Sequence, residues 1–144
     1  MSASELVGLA TWISREQLAL FDSMHPADQR HGLQVVASLR AAGHDEPDLL
    51  LAGLLHDAGK GRTGLLPRVA WSLGDRYGAW VWRGAALLPG MGDALERLRH
   101  HAERSARLAA SAGCAERTVE LIRNQGAPVD PVLGRALLLA DEAC

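Results

Sequence analysis

Several kinds of residue and segment are scarce in this chain, and each shortage excludes a class of protein. It has only two cysteines, Cys114 and Cys144, whose spacing fits no metal site, so a disulfide-dependent secreted scaffold is not expected. The first twenty residues contain no uninterrupted apolar run of the signal-peptide kind. The most apolar stretch, 69–88, is interrupted by charges and makes a poor membrane span. We therefore expect a cytoplasmic protein that does not enter membranes.

Lysine is the scarcest of the charged residues. The chain has fourteen arginines and one lysine, Lys60, against 17 acidic residues, for a net charge of −2. This near balance argues against general nucleic-acid binding. Because arginine serves wherever a generic positive charge suffices, the single lysine favours a position that needs a compact ammonium group, with chance as the alternative.

Signals for β-strands are also scarce, whereas apolar residues recur with helical spacing along the whole chain. With 144 residues and 48% hydrophobic residues, the chain is long enough to bury one core. We predict a single all-α domain over 1–144, a bundle of about seven helices. Tryptophans of the fourth predicted helix are assigned to the core, and Gly78 is a weak point in that helix. The predicted helices cover about 4–24, 26–43, 47–59, 67–88, 92–112, 115–125 and 130–144.

An adjacent histidine and aspartate, His56 and Asp57, close the most apolar of these helices. The run Leu49–Lys60, LLLAGLLHDAGK, is apolar on nearly every face, so this helix is expected to be central. A buried carboxylate is costly unless it is paired or bound to a cation. The run alone fits two interpretations equally well. One is a metal site, and the other is an aspartate paired with an arginine beside a histidine that makes one core hydrogen bond.

Two further polar residues fall on apolar helix stripes. Asp141 shares a stripe with Leu133 and Leu137, and His31 shares one with Val35. Together with the His-Asp pair, this gives two imidazoles and two carboxylates directed inward, a donor set that suits Mn, Fe, Co, Ni or Zn better than calcium. The predicted metal ligands are His31, His56, Asp57 and Asp141.

Helical periodicity also separates residues that are neighbours in sequence. His101 lies with Ser105 and Leu108 on the inward side of the fifth predicted helix, whereas His100 lies on the solvent side. Gln125 falls on the inward side of the sixth. We therefore consider His101 and Gln125 candidates for a second metal position or for substrate contact.

Taken together, the pattern resembles the HD superfamily of metal-dependent phosphohydrolases, over about residues 25–143. The family order is a histidine, a His-Asp pair and a distant aspartate, all on helices. The HDAGKG segment after an apolar helix is the most specific match and is similar to bacterial members with HDIGK-like sequences. The matching segments are DQRHGLQVVASLRAAG, LLLAGLLHDAGKG, HAERSARLAASAG, VELIRNQ and LLLADEA.

The resemblance implies hydrolysis of a phosphate ester by water that a metal activates. The substrate would be a small phosphorylated molecule, with nucleotides among the candidates, and a homo-oligomer is compatible with the sequence. Asp57 would bind the metal and orient the water, and Lys60 would contact a phosphate oxygen, which makes these two the catalytic candidates. Arg30 and Arg62 are weaker candidates for binding the phosphate.

Among several departures from the two-metal members of the HD superfamily, one is the most informative. Those members usually carry a His-His pair where this chain has Asn124 and Gln125. A neutral amide is a poor ligand, so we expect one well-held metal and at most weak occupancy near His101. The lost pair keeps open an alternative, a degenerate HD module that binds a nucleotide or a partner without turnover. It also disfavours a two-iron oxygenase, which needs a complete second set of ligands.

Overall fold

The computed structural model describes residues 8–61, 73, 76–78, 80–85 and 100–144. Within these ranges every regular element is helical, which confirms the all-α prediction. None of the described helices is long and apolar enough to cross a membrane. The elements are α1 (Arg15–Ser23), α2 (Pro26–Ala41), α3 (Pro47–Leu55), a 3₁₀ turn (Ala58–Lys60), α4 (Trp80–Ala85), α5 (His101–Ser111), α6 (Glu116–Arg123) and α7 (Leu133–Glu142).

Helix α3 is the centre of the packing, as its sequence predicts. All seven residues from Leu49 to Leu55 are buried, and α3 contacts α1, α2, α6 and α7. The 3₁₀ turn that follows α3 packs against α5. A helix that is apolar on every face is stable only where neighbours cover each face. This arrangement brings residues of α2, α5 and α7 to the carboxyl end of α3.

A glycine allows α2 and α3 to approach each other closely beside this end. A Cβ atom placed on Gly32 would lie 2.6 Å from the carbonyl oxygen of Leu54. Such a contact is shorter than any van der Waals separation, so the backbone of α2 rests directly on that of α3. His31 directly precedes Gly32 in α2, and His56 follows Leu54 by two residues, so the close approach of the two helices influences the separation of the two histidines.

Three expectations about individual segments are wrong. The first predicted helix is interrupted at residues 10–14, because the side chains of Ser14 and Gln17 form a capping box that starts α1 afresh at Arg15. Leu108 is exposed rather than inward. Trp80 is 70% exposed and so lies outside the core. Gly78 is confirmed as a weak point, since its φ of 107° is incompatible with a continuous helix.

Candidate metal centre

Three of the four predicted ligands lie together in one compact group. His31 belongs to α2, His56 is the residue that ends α3, and Asp141 belongs to α7. Their candidate ligand atoms all lie within 4.8 Å of one another. Residues from three helices, separated by up to 110 positions, therefore meet at the carboxyl end of the most buried helix.

Asp141 holds the group together through one carboxylate oxygen. Its Oδ1 lies 2.7 Å from His31 Nε2, at hydrogen-bond distance, and 3.2 Å from His56 Nε2. The two imidazole rings meet edge to face, with centroids 5.2 Å apart. Both histidines thus direct the same ring atom, Nε2, towards the same carboxylate.

A backbone hydrogen bond on the other ring nitrogen fixes the orientation of His56. Its Nδ1 lies 2.9 Å from the backbone carbonyl oxygen of Gly53, one turn earlier in α3. A carbonyl oxygen can only accept, so Nδ1 carries the proton and Nε2 of the neutral ring presents a lone pair. A ring held through one nitrogen in this way is typical of metal-binding histidines.

Asp57 has two oxygens in different surroundings. Oδ2 accepts a hydrogen bond from Lys60 Nζ at 2.6 Å. Oδ1 lies 3.6 Å from His56 Nε2 and 3.7 Å from His101 Nε2. The predicted alternative of an ion-paired aspartate is therefore present for one oxygen, although its partner is the single lysine rather than an arginine.

Two buried atoms of this centre have no hydrogen-bond partner within the described structure, His56 Nε2 and Asp57 Oδ1. Their side chains are only 1% and 2% exposed, so bulk solvent does not reach them. The lone pair of a neutral His56 would face the carboxylate oxygens of Asp57 and Asp141, which is repulsive. Either a proton on Nε2 or a bound cation removes this conflict. Imidazole nitrogens and carboxylate oxygens are metal-binding donors, so the group of His31, His56 and Asp141 could hold a metal ion.

The pKa shifts of His56, Asp57 and Asp141 also show that the centre favours positive charge. Burial by itself lowers the pKa of His56, but the carboxylates of Asp57 and Asp141 outweigh it and raise that pKa above its ordinary value. Burial opposes ionisation of both aspartates. Even so, the neighbouring histidines and Lys60 hold the pKa of Asp57 below its usual range. The hydrogen bond with His31 and the nearby ring of His56 likewise hold the pKa of Asp141 well below its usual range.

The remaining predicted site residues are placed as follows. His101 is half-buried beside Asp57, whereas His100 is exposed, as periodicity predicts. Gln125 is buried and inward, and its Nε2 donates to the backbone carbonyl of His56 at 3.1 Å. Arg30 is exposed on α2, next to His31. Arg62, Trp71 and the side chain of Trp82 lie outside the described residues.

The turn after α3 is held by contacts that the sequence does not predict. The Gly59 N–H donates to Ser105 Oγ at 2.7 Å, across to α5. A Cβ atom on Gly59 would lie 2.4 Å from the carbonyl oxygen of His101, so only glycine fits there without displacement. The inward position of Ser105 was available from periodicity, and its complete burial confirms that reading. Its partner in a different helix was not available from any local pattern.

Comparison of the chain with protein-family models, with curated proteins and with solved structures gave no match in any of the three. The likeness to HD phosphohydrolases therefore rests on the motifs of the chain itself.

Proposed function

We propose that this chain is a metal-dependent phosphohydrolase that cleaves the phosphate ester of a small molecule, with nucleotides among the candidate substrates. The observation that carries the proposal is the pair of buried, unpartnered atoms, His56 Nε2 and Asp57 Oδ1, beside His31 and Asp141. A divalent cation bound by these residues would lower the pKa of a water molecule and screen phosphoryl oxygens.

Each residue of the centre has a separate task under this proposal. His31, His56 and Asp141 would hold the cation, and Asp57 would join them through Oδ1 and orient the attacking water. Lys60 would bind a non-bridging phosphate oxygen as a compact charge. Its side chain is 25% exposed and its Nζ is bonded to Asp57 Oδ2, so the ammonium is fixed at the accessible border of the centre.

Arg30 and Arg62 are proposed as secondary contacts for the phosphate. Arg30 supports this only by its exposed position beside His31 in the sequence of α2. A second metal near His101 remains a weaker element of the proposal, because Gln125 uses its amide N–H on the His56 carbonyl.

Two substitutions separate the metal site from the phosphate site. Asp57→Ala should abolish both cation binding and hydrolysis, because a ligand and a water-orienting group disappear together. Lys60→Ala should retain the cation while turnover falls on the order of 10²–10³-fold, the usual cost of losing one charge-stabilising donor. Lys60→Arg should recover only part of the rate, since a planar guanidinium replaces a compact ammonium. Cation content by elemental analysis and hydrolysis rates over a panel of phosphate esters measure both effects.

Arg135→Ala provides the matched control, because it removes one exposed positive charge from α7. It should leave the rate and the cation content unchanged. A Lys60→Ala protein that turns over at the wild-type rate would remove the role given to Lys60. The absence of metal-dependent hydrolysis across the panel would overturn the enzyme proposal. That result would favour the alternative of a binding module without turnover. The observation that supports this alternative is that the Lys60 ammonium is already bonded to Asp57 Oδ2.

A further inference from the structure

The polypeptide turn that carries Asp57 is held by two side chains, one from α5 and one from the turn after α6. Gln125 Nε2 donates to the carbonyl of His56 at 3.1 Å, and Ser105 Oγ accepts the N–H of Gly59 at 2.7 Å. Asp57 lies between these two attachment points. The last carbonyls of a helix have no partner within that helix, and His56 is the residue at which α3 ends.

Gln125 is well suited to supply the missing partner. It is 7% exposed and follows the end of α6, a helix that packs against α3. The amide is a donor that needs no charge, so it satisfies a buried carbonyl without adding to the charges of the centre. An imidazolium or an ammonium at the same position would add a positive charge beside His56 and compete with a cation.

We infer that Gln125 is a positioning residue of the metal centre, acting through the backbone carbonyl of His56 and not as a metal ligand. By fixing that carbonyl, Gln125 fixes the peptide group between His56 and Asp57. It therefore sets the backbone positions from which both side chains extend. The inference rests on the metal binding in the proposed function. It assigns to Gln125 a role different from the second-metal or substrate contact that the sequence suggests.

Asn124 offers a matched control in the adjacent position. Its Nδ2 donates to the carbonyl of Glu120 at 3.0 Å, so it makes the same type of bond but within its own helix. Gln125→Met and Asn124→Leu each replace an amide by an apolar side chain of similar size. Gln125→Ser is a second variant, in which a water has room to satisfy the His56 carbonyl without fixing it.

The probe is Co²⁺, whose visible absorption spectrum reports the geometry of its ligands, titrated into the full chain. Both Gln125 variants should bind Co²⁺ on the order of ten-fold more weakly than wild type, with an altered spectrum, as is usual when a residue that orients a ligand is lost. Asn124→Leu should have the wild-type affinity for Co²⁺ and the wild-type spectrum. A purely structural role would lower the melting temperature of the Gln125 variants but leave the affinity and the spectrum of Co²⁺ unchanged, and that result would overturn the inference.

A second measurement is independent of metal. In the long-range ¹H–¹⁵N spectrum of the metal-free chain, the His56 ring should show a protonated Nδ1 bonded to Gly53 in wild type and in Asn124→Leu. That signal should broaden or shift in both Gln125 variants, and an unchanged His56 signal would count against the inference. If wild type binds no Co²⁺, the proposed function fails, and the His56 spectrum alone decides whether Gln125 positions this residue.

Discussion

The two oxygens of the buried Asp57 carboxylate have different neighbours. The Lys60 ammonium satisfies Oδ2, and Oδ1 is left facing two imidazoles. Burial alone would favour the neutral acid, but His56, Lys60 and His101 hold the pKa of Asp57 below its ordinary value. Asp57 therefore stays ionised in the core at neutral pH.

The two cysteines are expected to differ in reactivity. Neither forms a disulfide; Cys144 is exposed, whereas Cys114 is half-buried, and this burial raises the pKa of its thiol. The thiolate is the reactive species, so a raised pKa leaves less of it at pH 8. Iodoacetamide at pH 8 should alkylate Cys144 well before Cys114, as peptide mass spectrometry over time will show.

A Cys144→Ser variant isolates the slower residue. In this variant Cys114 is the remaining thiol, and its alkylation rate should increase as the pH rises towards its raised pKa. In denaturant Cys114 should be alkylated completely. Equal alkylation rates at the two cysteines in the native chain would show that burial does not protect Cys114.

At the scale of secondary-structure elements, Gly32 determines how closely α2 and α3 approach. In Gly32→Ala the new methyl group would meet the Leu54 carbonyl at 2.6 Å, and the two helices must separate. We expect a loss of about 1–3 kcal/mol in the free energy of unfolding, typical of an overpacked core, together with weaker cation binding because His31 moves away from His56. Urea denaturation and Co²⁺ titration measure the two effects.

Gly84→Ala is the control for this change. Gly84 also lies in a helix, and no described atom would come within 4 Å of an added Cβ. Alanine there should be neutral or should stabilise the chain by up to about 1 kcal/mol, because alanine is the better helix former. Stability and Co²⁺ affinity that are unchanged in Gly32→Ala would mean that the helices tolerate the methyl group without separating.

The elements also show what sequence patterns can and cannot predict. Periodicity placed Ser105 and Gln125 inside and His100 outside, because one buried face repeats with the helical period. Apolar spacing extends the first predicted helix across residues 10–14, where a Ser14–Gln17 capping box starts a new helix in the structure.

Two hydrogen bonds between distant parts of the chain had no local signal. The bond from Gln125 to the His56 carbonyl joins residues 69 positions apart, and that from Gly59 to Ser105 joins residues 46 apart. Likewise, the Lys60–Asp57 ion pair depends on the tight turn after α3, whose geometry the sequence motif does not specify. The inward faces of Ser105 and Gln125 were therefore predictable, unlike that of Leu108, whereas the bonds that orient the ligands were not.

For the whole molecule, cation binding should be coupled to stability. A cation that binds only the folded chain stabilises it by about 2.7 kcal/mol at a hundred-fold excess over its Kd. For a chain of this size that corresponds to a rise of several degrees in Tm. Thermal unfolding with Mn²⁺ or Co²⁺ should therefore give a higher Tm than unfolding with a chelator.

Asp141→Ala should lose this difference, because it removes the carboxylate that both histidines face. His44→Ala is the control, since it removes a histidine that pairs with Glu46 away from the centre, and it should keep the difference. The same rise in Asp141→Ala as in wild type would place the stabilising cation elsewhere.

The bond between His31 and Asp141 has a consequence for the order in which the chain folds. It joins α2 to α7 across 110 positions, so its formation carries the entropy cost of closing a long loop. Neither the α2–α3 pair nor α7 by itself carries the whole ligand group. Capture of a cation would then be a late event in folding, available only to molecules in which the last described helix has docked, and it would select completed molecules over partly folded ones.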